Sequence, residues 1–311
     1  MKTLSKEAFK RAANYINTQA RPLERALFSY HFEDGDSQLV LAELAHFLNQ
    51  DGGFGKAFEP DMRSPSSSAL ATGHALTLLK ELDCPADHPM VKEVVHFLRE
   101  TLDEETLVWR IVPQDVNQYP HAPWWHDEDG SLARTFDDFV INPRAQILSL
   151  LYHYNNVVPS KWLKTLSAHT VAAAQNFQGE RLGGEGIIYL LQLAKVEDLP
   201  EADKEIITER VMKAVGKEIA RDPAAWASYS VNPLKLAPRP DSILAEMLWE
   251  DIQVNLDYVI ETQTDAGSWE PNWTWGDLYP DVWPLAKKEW SGHITLENLL
   301  TLRAYGRIAG A

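Results

Sequence analysis

One cysteine, Cys84, is present in 311 residues, so an internal disulfide and a cysteine-based zinc cluster are both excluded. No stretch approaches the roughly 18 consecutive apolar residues that a membrane-spanning helix needs. The opening Met1-Lys2-Thr3-Leu4-Ser5-Lys6-Glu7 lacks the apolar core of a secretory signal, and the expectation is a cytoplasmic protein with no integral membrane segment. Basic residues are scarce: 29 Lys and Arg stand against 45 Asp and Glu, a net charge of -16. That balance argues against nucleic acid or an anionic membrane as a partner, because both reward clustered cations. No segment alternates apolar and polar residues as a strand does, and no Gly/Ser-rich linker divides the chain.

What is present is helical spacing. Hydrophobic residues make up 45% and charged residues 24%, the balance of an ordinary globular protein at the size where one core stops growing. Apolar residues recur at helical intervals over 4–18, 23–32, 37–48, 66–82, 88–102, 142–154, 159–177, 187–193, 200–221 and 241–262. Ser66-Ser67-Ser68 reads as a helix cap. Asn142-Pro143 and Asn232-Pro233 read as caps followed by a first-turn proline. The expected class is all-α, as one domain over 1–311.

Two stretches repeat a pattern. Asn49-Gln50-Asp51-Gly52-Gly53-Phe54 is followed by Gly73-His74, and Gln263-Thr264-Asp265-Ala266-Gly267-Ser268-Trp269 by Gly292-His293. In each, a helical segment runs into a glycine turn ending on an aromatic ring, and a Gly-His pair opens the next helix. A helix-turn-helix unit cannot bury its apolar face alone, so its recurrence implies stacked helical hairpins. The Gln-x-x-x-Gly-x-Trp spacing of Gln263, Gly267 and Trp269 resembles the QW repeat of squalene–hopene cyclases, shared more loosely among α/α-toroid terpene cyclases and protein prenyltransferase β subunits. In the first copy Asn49 stands in the Gln position and Phe54 comes one residue early. The resemblance implies an α/α toroid, a helical-hairpin barrel with long aromatic loops, and a hydrophobic, isoprenoid-type substrate in an aromatic cavity. It also implies that Trp269 braces neighbouring helices. The family's Asp-x-Asp-Asp acid is absent, and Asp83 and Cys84 are adjacent rather than two apart as in the prenyltransferase zinc set.

Chemistry is expected where acids, imidazoles and rings converge. Glu59, Asp61 and Arg63 lie within five residues between a glycine turn and a helix, so that Arg63 would hold a neighbouring carboxylate ionised. Trp124-Trp125-His126-Asp127 places a stacking platform beside an imidazole and a carboxylate in the Pro-rich loop 103–140, which also carries Asp137. Trp269, Trp273, Trp275, Trp283 and Trp290 crowd one segment with Pro271, Pro280 and Pro284, where rings in turns line pockets or plug the end of a helical barrel. Glu59, Asp61, His126 and Asp137 are the catalytic candidates. Arg63, His74, Trp124, Trp125, Asp127, Trp273 and Trp275 are the binding candidates. His74 and His293 occupy matching places in the two copies, which favours packing for both.

Three functions fit: an isoprenoid-handling protein, a carbohydrate-active hydrolase or lyase in which rings stack on sugars between two carboxylates, and a non-catalytic ligand-binding ring. The ligand is accordingly a small hydrophobic molecule or an oligosaccharide. No resident metal is expected, although a bound diphosphate would bring a divalent metal or need cations such as Arg63, Arg134 and Arg144.

Overall fold

The computed structural model describes residues 1–128, 130, 142–177 and 181–310. Its helices, in chain order, are α1 Lys6–Gln19, α2 Pro22–Phe32, α3 Ser37–Ala45, α4 Ala69–Glu81, α5 Pro89–Glu100, α6 Arg144–His153, α7 Ser160–Asn176, α8 Gly183–Ala194, α9 Glu201–Glu218, α10 Pro233–Leu236, α11 Trp249–Glu261 and α12 Trp283–Ala304. Among the described residues the only named strands are β1 Leu102–Asp103 and β2 Val108–Trp109, a short antiparallel hairpin. The fold is mainly helical, as the spacing predicts. No helix of the described residues is long and apolar enough to cross a membrane.

Local chemistry sets most helix starts. The Ser5 hydroxyl accepts from Ala8 N–H, Asp36 from Gln38 N–H and Ser68 from Ala71 N–H, each filling one of the donors a first turn leaves open. Pro22 and Pro89 sit in the first turn of their helices, where a missing N–H costs nothing. Three starts differ from the spacing. Helix α8 begins at Gly183, ahead of the apolar run, because the Glu218 carboxylate accepts from Leu182 N–H at 2.8 Å and Gly183 N–H at 2.9 Å and so caps the helix from far along the chain. Helix α11 begins at Trp249 rather than Asp241. Ser242 Oγ accepts from Arg239 N–H, and residues 239–245 close tight turns that compete with helix. Helix α6 begins at Arg144. Pro143 occupies its cap position, and the Asn142 side-chain oxygen, expected as a cap, is buried with no hydrogen-bond partner among the described residues.

The chain divides into two compact units, Phe47–Glu218 and Met1–His46 with Ile219–Ala311. Each contains one glycine turn, and the two turns close alike. Asn49 N–H donates to Gly53 O and Gly52 N–H to Asn49 O; Thr264 N–H donates to Ser268 O and Gly267 N–H to Thr264 O. Gly52 and Gly267 have φ of 83° and 93°, a left-handed conformation that penalises any side chain. A Cβ on Gly52 would meet the Glu93 backbone of α5, and one on Gly267 the Arg11 backbone of α1, both inside 3.0 Å.

These bonds correct the alignment of the copies. Asn49 corresponds to Thr264, and Phe54 falls in register with Trp269 rather than one residue early. The Gly-His pairs do not correspond. Both lie inside helices, Gly73-His74 in α4 and Gly292-His293 in α12. Gly73 follows the threonine that receives the turn, Thr72, whereas Gly292 precedes its counterpart, Thr295.

The helix that each glycine touches has a telling origin. In the 47–218 unit, α5 follows α4 along the chain. In the other unit the equivalent of α5 is α1, at the opposite end of the sequence from α12. Leu4 N–H donates to Arg307 O at 2.8 Å and Ala309 N–H to Leu4 O at 2.9 Å, a parallel bridge that places α1 after α12 in space. Arg307 pairs with Asp257 beside this bridge, and Lys2 N–H donates to the same carboxylate at 2.7 Å.

Candidate functional site

In the 47–218 unit, the stretch after the first glycine turn is stitched to the Pro-rich loop. Arg63 N–H donates to Pro120 O at 3.0 Å, Ala122 N–H to Asp61 O at 2.8 Å, and Met62 bridges His121 antiparallel. Ser64 and Ser66 hydroxyls both donate to the Asp115 carboxylate at 2.8 Å. The expected clusters Glu59, Asp61 and Arg63 and Trp124-Trp125-His126-Asp127 thus lie on segments that are stitched together.

Glu59 and Asp61 are buried, Asp61 to 2% exposure. Glu59 Oε2 lies 3.9 Å from His74 Nδ1, and His74 Nε2 lies 3.4 Å from the Tyr189 hydroxyl of α8. A carboxylate, an imidazole and a phenol therefore stand in line, a geometry that orients a histidine. Tyr189 sits on an apolar helix face and carries no sequence signal of its own.

Asp127 and Arg144 are both held in buried polar contacts. Asp127 is buried, ion-paired with Arg110 and clasped by Asn117, whose amide donates to Asp127 O and accepts from Asp127 N–H. Trp125 packs half-buried on Met62, Leu70, Ile111, Val112 and Val116, while Trp124 is 42% exposed. Arg144 is turned inward. One guanidinium nitrogen donates to Leu107 O at 2.8 Å and to His169 Nδ1 at 2.7 Å, which removes it as a surface cation for diphosphate. Burial first, and then the Arg144 charge, pushes His169 below the ordinary histidine range. Asp137 and Arg134 lie outside the described residues. Among the described residues no group of three or more His, Cys, Asp or Glu is placed to hold a metal ion.

A cavity lies in the other unit. A cleft of about 660 Å³ is walled by Trp226, Tyr229, Tyr258, Trp269 and Trp273, with Asn232, Asn255, Asn272, Asn298, Glu270 and Glu297 among them. Two helices present regular stripes to it. Asn255, Tyr258 and Val259 of α11 and its C-cap Thr262 lie at i, i+3, i+4 and i+7, and Ile294, Glu297, Asn298 and Thr301 repeat that spacing on α12.

Its wall is fixed by side chains that hold backbone. The Asn272 amide donates to Trp226 O at 3.0 Å and Ser228 O at 2.9 Å, pinning the tryptophan-rich loop. Asn255 accepts from Leu234 N–H and Asn232 caps α10. Trp226 and Trp269 are buried, with indole N–H groups donating to Ala220 O and Val259 O at 2.7 Å, so they form a rigid floor. Tyr229 is 60% exposed, with the Lys235 ammonium 4.3 Å over its ring. Trp273 meets Trp290 edge-on at 5.2 Å, and its indole N–H and the Ser230 hydroxyl have no partner among the described residues. Glu270 pairs with Lys287 at 2.7 Å. Trp275, expected to bind, is instead core: 1% exposed, against Trp283 and Tyr279.

Comparison of the chain with family models, with characterised proteins and with solved structures returns no match.

Proposed function

We propose that this protein binds a polyhydroxylated, saccharide-type ligand in the cleft between α11 and α12. The observation that carries the reading is the mixture in one wall of aromatic rings with amides and carboxylates. Tyrosine and tryptophan faces accept the C–H face of a sugar, and an amide matches a hydroxyl because each both donates and accepts. Magnitude favours this over a hydrocarbon chain. An isoprenoid would displace water from Asn298 and Glu297 without replacing its hydrogen bonds, at about 1–3 kcal/mol for each group left unsatisfied.

A second reading, the isoprenoid-binding α/α toroid, is supported by a different observation. The glycine-turn unit occurs twice, and in the second occurrence its third helix comes from the other end of the chain, as closure of a ring requires. Tryptophan quenching by oligosaccharides, farnesyl diphosphate and geranylgeraniol separates the two readings. The cleft reading expects quenching by an oligosaccharide, weakened about tenfold, or about 1.4 kcal/mol, in Trp273→Ala. Quenching by the isoprenoids alone would overturn it.

A further inference from the structure

We propose that His126, in the 47–218 unit, is an acid–base residue whose outer nitrogen is kept free of its proton by His121, and that it serves hydroxyl-bearing ring compounds taken up on Trp124. His121 is buried, and its Nδ1 lies 2.6 Å from Tyr119 O. A carbonyl only accepts, so His121 Nδ1 carries the hydrogen. Burial pushes this histidine below its ordinary range, against the backbone hydrogen bonds of Tyr119 and Val116, which raise it; in the neutral form that burial favours, with the hydrogen on Nδ1, Nε2 is a lone pair. His126 Nδ1 lies 3.1 Å from that lone pair and must therefore donate to it. The two rings stack 16° from parallel with centroids 5.3 Å apart.

The consequence falls on the exposed nitrogen. With its one hydrogen committed to Nδ1, neutral His126 has an unprotonated Nε2 on an exposed side chain. The turn is rigid, since Trp125 N–H donates to Ala122 O and His126 N–H to Pro123 O. Exposed Trp124 supplies a ring face two residues away. Asp127 is bound to Arg110 and Asn117, so the acceptor that fixes His126 is an imidazole rather than a carboxylate. In the proton transfer, the ligand O–H proton passes to Nε2 and its bonding pair stays on oxygen.

p-Nitrophenol is a direct probe, because its phenolate absorbs in the visible. At a pH below the phenol's own pKa, the full-length protein should increase phenolate, and the increase should be lost in His126→Gln and at least halved in Trp124→Ala. Long-range proton–nitrogen NMR of the wild type should show His126 with hydrogen on Nδ1 and none on Nε2, a result that does not depend on a variant of buried His121 folding. An Nε2–H tautomer in the wild type, or a phenolate gain unchanged in His126→Gln, would overturn the proposal.

Discussion

The backbone N–H of Trp269 donates to the hydroxyl of Thr295 at 3.0 Å, and the same bond joins Phe54 to Thr72 at 2.9 Å in the other unit. Each threonine thus receives the end of a glycine turn and ties it to the following helix. Thr295 also donates to Ser291 O at 2.6 Å, so its hydroxyl is used in both directions. Replacing Thr295 with Val keeps the shape and strands a buried N–H. Urea unfolding should show a loss of about 1–3 kcal/mol. Trp269→Ala removes a buried ring and its bond to Val259 O, and should cost about 3–5 kcal/mol. Unchanged midpoints would remove the bracing role.

The glycines make a sharper comparison. Gly52→Ala and Gly267→Ala combine a left-handed backbone with a Cβ driven into Glu93 or Arg11 backbone, and each should cost at least about 2 kcal/mol. Gly53→Ala should also destabilise, for a steric reason alone, because its Cβ would meet the Phe97 ring and Ser67 Cβ at 2.6 Å. Gly276→Ala is the control for conformation without crowding: φ is 62° and an added Cβ would meet no other described residue within 4 Å, so a loss as large as that at Gly267 would contradict the packing account.

Four histidines, His31, His121, His153 and His169, are held below the ordinary range, burial being the first cause in each. The unfolded chain therefore takes up protons before the folded one as pH falls. Their contribution is whole above the unfolded value of about 6.5 and is lost below it. The urea midpoint should accordingly drop between about pH 7.5 and about pH 5.5. An equal or higher midpoint at the lower pH would contradict the lowered proton affinity of these four rings in the folded chain.

Much of the helical framework was legible because its signals are local. Ser68, Pro22 and Pro89 act within one turn of where they stand, and spacing found the helices they start. The misplaced starts have distant or competing partners: Glu218 caps α8 across the sequence, and Ser242 captures the backbone that would have begun α11. The repeat was visible, but its register was not. Thr72 and Thr295 lie 18 and 26 residues beyond the turns they receive, and Gln263, which donates to Ala8 O and Gly267 O, has Leu48 as its counterpart. Counting from Trp124 and Glu59 located a polar region but not Tyr189. The cleft was half legible. Trp273 was marked by its neighbours, while the two four-residue stripes of 255–262 and 294–301 mix polar with apolar residues and so escape a search for apolar spacing alone.

Hydrogen exchange with and without the oligosaccharide that quenches tryptophan most strongly tests the central claim, that this ligand occupies the cleft between α11 and α12. Loop amides over 227–232 and 270–274, which border the cleft, should slow on binding, while those over 119–128 in the other unit keep their free-state rates. Protection confined to 119–128, or no protection over 227–232 and 270–274 at saturating ligand, would contradict it.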